Sequence, residues 1–360
     1  MPLDDELAAW LRVSLGAGLR GDGMRRLLAA FGGPLGVLSA SRAALARHVS
    51  AAVAAAILED TRDEAIAAAA AWLEDPANHI VTLADADYPP RLLQIPDPPP
   101  ILYVKGRVEL LAGPSLAVVG SRNATVQGAA NAEAFAKALS DAGLTVVSGL
   151  ALGIDSAAHR GGLAGQASSV AVLGTGADLV YPSRNRALAH DLAARGALVS
   201  ELPLGTRPHA ANFPRRNRLI SGLALGCLVV EAATDSGSLI TARLAAEQGG
   251  EVFAVPGSIH SPLAKGCHAL IKQGAKLVES ARDILEELRL PAPAAAAPDP
   301  PADTRARGLL DALGHDACDL DTIAARCGLP VAEIAVLLTQ LELENHIATL
   351  PGGRYQRVHR

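Results

Sequence analysis

Short apolar runs recur through the middle of the chain, and a glycine or polar turn and then a helix-length segment follows each of them. The runs are Ser115–Val119, Leu144–Ser148, Val170–Leu173, Ala197–Ser200, Cys227–Val230 and Val252–Val255. Because their hydrophobicity is continuous rather than alternating, we expect strands that are buried on both faces, as in a parallel sheet covered by helices. The pattern therefore predicts an α/β fold with a doubly wound, mostly parallel sheet.

Composition divides the chain into further regions. Residues 1–75 consist of short alanine-rich segments broken by glycines, which predicts a small helical domain with helix-hairpin-helix or sterile-alpha-motif-like turns that serves mainly for packing. Residues 77–288 contain the predicted sheet, and residues 289–303 are a proline- and alanine-rich linker. Residues 304–360 predict helix, helix, turn, helix and hairpin, the order of a winged helix.

Net charge and targeting signals narrow the class of protein. The chain has 360 residues, of which 50% are hydrophobic, and a formal net charge of −5, so it is not a generally basic nucleic-acid coat. Its first residues are acidic where a secretory signal would be basic, and no apolar run approaches the roughly 20 residues of a membrane span. We therefore expect a cytoplasmic protein without membrane contact.

Metal and cofactor motifs give no signal. The four cysteines are too scattered for a Cys-x-x-Cys pair, and the ten histidines form no His-Glu-x-x-His box. Neither the Gly-x-Gly-x-x-Gly fingerprint nor a Walker A loop is present. We expect reduced thiols, no metal and no cofactor.

One window, Leu202–Val230, contains no Asp or Glu. Four arginines and one histidine surround Phe213 within it: Arg207, His209, Arg215, Arg216 and Arg218. A local basic field beside a lone aromatic ring suits a polyanion with flat, stackable groups, and single-stranded nucleic acid is the obvious candidate. The alternative is that the arginines are merely solvated and that the ring fills a gap in the core.

Glycine-containing turns follow the predicted strands. These turns include Gly120-Ser121-Arg122, Ser148-Gly149, Gly174-Thr175-Gly176 and Ser236-Gly237-Ser238. Since parallel strands end at the same edge of a sheet, the turns should lie on one rim, where helix N-termini favour bound anions. We expect several phosphate-sized sites there, although such glycines also serve folding alone.

The order of these motifs resembles the DNA-processing protein DprA family, also called Smf. The resemblance runs from Val118-Val119-Gly120-Ser121-Arg122 through Tyr181-Pro182 and Phe213-Pro214-Arg215-Arg216-Asn217-Arg218 to Ser236-Gly237-Ser238-Leu239. It implies a Rossmann-like domain that binds single-stranded DNA, forms a homodimer and helps to load the RecA recombinase during natural transformation. The family has no established catalytic activity.

The resemblance also implies roles for single residues. Gly120, Ser121 and Arg122 would hold a phosphate, Phe213 would stack on a base, and Arg216 would contact the DNA backbone. Asn217 and Arg218 would brace the turn, and Arg207 or Arg215 would replace a lysine that some members carry before the phenylalanine. The implied DNA-binding set is completed by Gly149, Ser236, Gly237 and Ser238.

A second implied surface concerns assembly. The segment Gly266–Val278 matches the region through which members of this family dimerise, with His268, Leu270, Ile271 and Leu277 as candidate contacts. The same apolar residues could instead belong to the core of a monomer. Dimerisation would join two sheets about a two-fold axis and lengthen the track for a bound strand.

An enzymatic alternative rests on a few acidic and imidazole side chains. Asp155 and His159 lie four residues apart on a predicted helix and could pair, while Glu201 and Glu231 end two strands. A distant likeness to nucleoside monophosphate phosphoribohydrolases keeps this alternative open, although Thr234–Ser238 lacks their Pro-Gly-Gly-x-Gly-Thr loop. We expect structural roles for these residues, and no catalysis.

The charges of the predicted winged helix argue against groove reading. From Cys327 to Gly353 there is no Lys or Arg, and Glu333, Glu342 and Glu344 lie on the predicted recognition helix. A helix that reads the major groove normally carries basic or amide side chains. We expect this domain to contact protein.

Overall fold

The computed structural model describes residues 3–15, 19, 21–59, 62–291, 304–314, 316–344 and 346–358. Six helices come first: α1 (Asp5–Ser14), α2 (Gly21–Phe31), α3 (Pro34–Ser39), α4 (Arg42–Leu45), α5 (Ala51–Leu58) and α6 (Asp63–Trp72). Side-chain caps at Asp4, Ser41 and Ser50 accept hydrogen bonds from free backbone N–H groups and so mark three helix starts. The helices share a core with Ile101 and Tyr103 of the following sheet.

The central sheet has nine strands in the order β1-β2-β6-β5-β4-β3-β7-β8-β9. Their bounds are β1 (Asn78–Thr82), β2 (Ile101–Gly106), β3 (Ser115–Val119), β4 (Thr145–Ser148), β5 (Ser169–Val172), β6 (Ala197–Ser200), β7 (Gly226–Val229), β8 (Glu251–Ala254) and β9 (Lys276–Leu277). Strands β3 to β9 pair in parallel, whereas β2 pairs antiparallel with both β1 and β6. The mostly parallel sheet predicted from the apolar runs is confirmed, and the antiparallel edge is an addition.

Helices cover both faces of this sheet: α7 (Val126–Asp141), α8 (Ile154–Ala164), α9 (Arg186–Arg195), α10 (Asn212–Leu223), α11 (Ser238–Glu247), α12 (Lys265–Lys272) and α13 (Ala281–Glu287). Strand β3 shows why its sequence is apolar throughout. Leu116 and Val118 pack in one core with α7 and α8, while Ala117 and Val119 pack in the other with α10 and α11. Each face thus requires its own set of apolar side chains.

The strand order reverses direction at β3, whose neighbours are β4 on one side and β7 on the other. The chain leaves these strands towards different halves of the sheet, so a crevice opens beyond their carboxyl ends. The candidate ligand-binding residues of the sequence lie at this point.

The C-terminal region is a winged helix, as predicted. It contains α14 (Thr304–Leu313), β10 (Cys318–Asp319), α15 (Leu320–Cys327), α16 (Val331–Leu343), β11 (Ile347–Leu350) and β12 (Arg354–Arg357). Its own core includes Leu309, Ile323 and Leu338. Most of the predicted linker, residues 292–303, lies outside the described residues.

Length and apolar content decide whether a helix of the described residues could cross a bilayer. No single helix there is long and apolar enough to cross a bilayer, and the one combination that passes on length and composition is α15 with α16, which meet at a bend of 108°.

Candidate nucleic-acid interface

A cleft of about 840 Å³ lies beyond the carboxyl ends of β3 and β7. It is lined by the turn after β3, by the start of α10 and by the start of α11, among other segments. The predicted residues that it brings together are Gly120, Ser121, Arg122, Phe213, Asn217, Ser236, Gly237 and Ser238. Segments more than a hundred residues apart therefore form one concave surface.

Two aromatic rings stand side by side in the cleft. The ring centroids of Tyr181 and Phe213 are 5.6 Å apart with an interplanar angle of 37°. Tyr181 is 48% exposed and Phe213 is half-buried, so both retain accessible surface. The Phe213 ring rests on Gly174, where an added Cβ would lie 2.7 Å from a ring carbon. The absence of a side chain at Gly174 thus lets the Phe213 ring pack directly against the backbone. Together, the Tyr181 and Phe213 rings offer a surface on which flat groups can stack.

Tyr181 was not among the residues for which the sequence predicted a role in DNA binding. Tyr181 entered the sequence comparison only through the Tyr181-Pro182 motif. Its contact with Phe213 could not be predicted, because the two residues are far apart in the chain. The signal that could have found it is an aromatic ring close in sequence to an exposed arginine, in Tyr181-Pro182-Ser183-Arg184.

Arg122 supplies the positive charge of the cleft. Its guanidinium carbon lies 5.9 Å from the centroid of the Phe213 ring, within the range of a cation–π contact. The residue is exposed, and among the described residues no carboxylate pairs with it. A phosphate beside a base stacked on Phe213 would therefore lie within reach of this side chain.

The turn that carries Arg122 is held by its neighbour Ser121. The Ser121 N–H donates to the Glu231 carbonyl at 2.7 Å, and the Ser121 carbonyl accepts from the Ile154 N–H at 3.1 Å. The Ser121 hydroxyl oxygen accepts from the Asn123 N–H at 3.1 Å. Because these three hydrogen bonds fix the backbone of the turn, little conformational entropy is lost when an anion binds.

The N-terminus of α11 forms another side of the cleft. Ser236 Oγ and Ser238 Oγ are 2.7 Å apart, and Ser236 Oγ accepts from the Ser238 N–H at 3.3 Å. A helix of ten residues presents a positive dipole end here, which favours an anion. Asp235 also lines the cleft and offsets part of this field. The site therefore suits a phosphodiester, whose single negative charge stays partly exposed to water.

The protein's own carboxylates occupy the turn after β4 and the far end of the turn after β3, at the N-terminus of α7, which corrects the expectation of several open sites. The Glu231 carboxylate accepts from the Thr125 N–H at 2.9 Å and from its hydroxyl at 2.6 Å. The Asp155 carboxylate accepts from the N–H groups of Gly149 and Ala151 at 3.1 and 3.3 Å. These carboxylates already accept the hydrogen bonds of the backbone N–H groups, so a phosphate cannot bind to the same groups. The third turn is covered by Phe213.

Arg216 lies beneath the cleft and not in it. It is 5% exposed and donates from Nη1 to the Gly149 carbonyl at 2.7 Å and to the Val172 carbonyl. Burial lowers its pKa to about 10, while nearby Asp155 acts in the opposite direction. A Cβ at Gly149 would lie 2.3 Å from the Arg216 guanidinium. The implied backbone contact of Arg216 is therefore corrected: Arg216 and Gly149 join the ends of β4 and β5 as the floor of the cleft.

The other two arginines of the motif, Arg215 and Arg218, both form ion pairs with Glu201. The Glu201 side chain is 3% exposed and forms ion pairs with Arg218, which is 13% exposed, and with Arg215 at 3.0 Å. Arg218 also donates to the Asp97 carbonyl at 2.6 Å. Arg218 thus joins α10 to Glu201 and to the segment at Asp97, whereas Arg215 keeps most of its side chain in solvent.

The acid–base candidates are engaged separately. His159 Nε2 accepts from the Leu150 N–H at 3.2 Å, and Nδ1 lies 2.8 Å from Ser169 Oγ. Burial lowers the pKa of His159 to about 3, so the ring is neutral near pH 7. Asp155 accepts from two backbone N–H groups, as described above, and Glu231 holds Thr125. Each group is oriented by the fold and not by a catalytic partner, which supports the structural interpretation.

The predicted dimer segment includes the edge of the sheet. Strand β9 is the last strand, and Leu277 within it is 45% exposed. Leu270 and Ile271 are half-buried and pack against the chain's own core. His268 lies 3.1 Å from the Gly257 carbonyl and so braces the loop after β8. Leu277 is thus the candidate with the largest free apolar surface.

Known proteins that the chain resembles include proteins described as DNA-processing proteins. Residues 79–289 match the family described as DNA recombination-mediator protein A, and residues 292–353 match the DprA winged helix domain. The chain is 46% identical over 299 residues to Protein Smf of Escherichia coli K12, covering 80% of each protein. It is 46% identical over 206 residues to the DNA processing protein DprA of Streptococcus pneumoniae R6, covering 57% of this chain and 73% of that protein.

Solved structures show the same fold. The crystal structure of DprA from Streptococcus pneumoniae matches with a TM-score of 0.69 and 36% identity, over 80% of this chain and 99% of that one. DNA processing protein A from Helicobacter pylori, described for its single-stranded DNA binding mode, matches with a TM-score of 0.53 and 27% identity, over 59% of this chain and 96% of that one.

Proposed function

Because the chain belongs to the DNA recombination-mediator protein A family, also known as DprA or Smf, we propose that it binds single-stranded DNA in the cleft beyond β3 and β7. The observation that carries the proposal is the accessible pair of Tyr181 and Phe213 with the Arg122 guanidinium 5.9 Å from the Phe213 ring. The single-stranded DNA binding of the Helicobacter pylori relative supports it.

The strand is held by stacking and by phosphate contacts. Bases stack on the two aromatic rings, while a phosphate lies between Arg122 and the N-terminus of α11. Ser236, Gly237 and Ser238 provide the backbone and hydroxyl groups at that end. Since these contacts do not read base edges, binding shows little sequence preference.

The cleft works as a binding site and not as an active site. The carboxylates that could act as acids or bases, Asp155 and Glu231, each hold a loop of the protein itself. No cofactor is needed for stacking and phosphate contacts. The proposed activity is therefore to cover and protect incoming single strands.

The Arg122→Ala variant should bind single strands more weakly and with a smaller salt dependence. Loss of one phosphate contact lowers the magnitude of the log–log salt slope by roughly 0.7. Fluorescence anisotropy with a labelled oligothymidine, titrated at several salt concentrations, measures both quantities. Arg42→Ala, an exposed arginine of the helical N-terminal region, is the matched control. A slope unchanged by Arg122→Ala would place the strand elsewhere.

We propose in addition that the protein forms a homodimer through the segment Gly266–Val278, which contains His268, Leu270, Ile271 and Leu277. The support is the family membership and the apolar surface of Leu277 on an edge strand. Two cleft-bearing domains in one dimer bind a long strand more tightly than a short one, because the second contact is intramolecular.

The Leu277→Glu variant should be a folded monomer that binds short strands normally and loses the advantage for long ones. A charge at this exposed position opposes a self-complementary contact without entering the core. Light scattering and binding to short and long oligonucleotides test this. Leu35→Glu, at a site 52% exposed in the N-terminal helices, is the control. A monomeric wild type, or a dimeric Leu277→Glu variant, contradicts the assignment.

We also propose that the bound strand is passed in the cytoplasm to the RecA recombinase during natural transformation. This step rests on membership of a family described as recombination mediators. The cleft geometry supports only the binding of the strand.

A further inference from the structure

Helix α16 of the winged helix has one face that the domain core does not use. Ile334, Leu338 and Leu341 are buried against the other helices, whereas Val336 is 68% exposed and Leu343 is 79% exposed. Val331, at the start of the helix, is also 49% exposed, but at about 100° per residue it lies well away from the side that Val336 and Leu343 share. A helix in a small domain normally buries its large apolar residues on one side only, so this helix carries a second apolar face.

The spacing of this second face is regular. Exposed residues follow one another at intervals of four, three and four, in the order Ala332, Val336, Thr339 and Leu343. This spacing places the four side chains on a narrow stripe along the helix, as in the seam of a coiled coil. With 13 residues, α16 is about 20 Å long at 1.5 Å per residue, and the stripe from Ala332 to Leu343 takes up about 17 Å of it. We call these four residues the α16 stripe.

Acidic side chains flank the α16 stripe on both sides. At about 100° per residue, Glu342 falls on one side of the stripe, and Glu333 and Glu344 fall on the other. Glu342 and Glu344 are exposed, and Glu333 accepts from Arg305 at 3.0 Å in a pair whose arginine is 73% exposed. Such an exposed pair contributes little and is readily exchanged. No Lys or Arg occurs from Cys327 to Gly353.

We propose that the α16 stripe binds a basic amphipathic helix of a partner protein. The apolar stripe takes side chains at positions i, i+3 or i+4, and i+7 of the partner, and Glu333, Glu342 and Glu344 face lysines or arginines beside them. The partner helix has three to four turns, which matches the length of α16. Opposite charges set the orientation of the two helices and speed their encounter.

The charges argue against other occupants. A second copy of this chain would bring two acidic borders together, and like charges on facing helices repel. DNA phosphates and anionic lipid headgroups would meet the same carboxylates. A basic helix is the partner that satisfies the apolar stripe and its borders together.

The experiment uses the full chain and a synthetic helical peptide of about 21 residues with leucine at heptad positions a and d and lysine at e and g. One control peptide carries glutamate in place of lysine, and another has the same composition in scrambled order, which keeps the charge and removes the apolar stripe. Calorimetry gives the affinities, and hydrogen exchange locates the site. We expect binding of the lysine peptide alone, with protection confined to residues 331–343.

Variants of the stripe test its part in binding. Val336→Ser and Leu343→Ser should each weaken binding by about tenfold, because the apolar contact is lost. Glu342→Lys should weaken binding of the lysine peptide, because it replaces an attractive charge with a repulsive one. Leu35→Ser and Glu64→Lys, at exposed sites in the N-terminal helices, are the matched controls. Val336→Ala, which preserves helix propensity, replaces the serine variant if the latter unfolds the domain.

Several results would overturn the proposal. Equal binding of the scrambled peptide would show a purely ionic attraction, and protection elsewhere, or unchanged affinity in Val336→Ala, would remove the stripe from the site. Sedimentation with phosphatidylserine vesicles that depends on Val336 would indicate a membrane surface. Self-association that depends on Leu343 would indicate a second copy. Single-stranded DNA affinity should be the same in all variants, so this test is independent of the cleft.

Discussion

Replacing Arg216 by methionine should destabilise the central domain, residues 77–288, by about 3 kcal/mol or more. Methionine fills much of the same volume but donates no hydrogen bond, so the buried carbonyls of Gly149 and Val172 lose their partner. Each buried acceptor left unpaired costs about 1–3 kcal/mol. Asp155 also loses the nearby positive charge that favours its ionised form. The expected effect is on folding, and a fall in DNA affinity would follow from it.

Chemical denaturation followed by circular dichroism measures this change as a shift of the main unfolding transition. Arg122→Ala is the internal comparison, because an exposed side chain without a carboxylate partner should change stability by no more than about 0.5 kcal/mol. The two substitutions should therefore have different effects. Arg216→Met lowers the free energy of unfolding, whereas Arg122→Ala lowers the salt dependence of DNA binding. If Arg216→Met is as stable as the wild type but has a lower salt slope, the guanidinium reaches the DNA directly and our assignment of the floor is wrong.

Replacing Phe213 by alanine should weaken single-strand binding by about 1–3 kcal/mol, which is roughly five- to 150-fold in affinity. The salt slope should stay nearly unchanged, since stacking releases no counterions. The ring lies 5.6 Å from the Tyr181 ring and beneath the Arg122 guanidinium, so its removal also ends the contact that each of these side chains makes with it. Anisotropy titrations at several salt concentrations record both quantities.

Phe213→Leu distinguishes stacking from packing. Leucine can still cover Gly174, which the Phe213 ring contacts, but offers no π face to a base. We expect the leucine variant to keep the stability of the wild type and to bind nearly as weakly as the alanine variant. Wild-type affinity in Phe213→Leu would return this residue to the role of a core filler.

Helix α10 shows why one motif contains residues of different kinds. Arg215, Arg216 and Arg218 are close neighbours in sequence, yet they are respectively exposed, buried and largely buried. Successive residues of a helix point about 100° apart, so only some of them can face a cleft. The sequence shows that the segment Leu202–Val230 is basic. It does not show which of its arginines are buried against the sheet beneath the helix.

The sequence by itself determined the layered architecture. The uniform apolar content of the strand Ser115–Val119 required helices on both faces, and glycine turns after the strands placed the candidate ligand-binding residues at one edge. The helix order after residue 304 determined a winged helix, and the lack of basic residues in α16 already argued against groove reading. These features depend on local periodicity and on charge, which are present in any short window of the chain.

Only the tertiary structure decided which turns stay open and which rings meet. Glu231, which follows strand β7 and is more than a hundred residues from Thr125, accepts the hydrogen bonds of the Thr125 turn, and Asp155 accepts those of the Gly149 turn. Tyr181 joins Phe213 through space. The Asp155 contact joins residues only six apart in the chain. The contacts of Glu231 and Tyr181 depend instead on which strands are neighbours in the sheet, and strand order is a long-range property that no local pattern encodes. The number of free anion sites and the position of Arg216 therefore follow from the packing of the sheet.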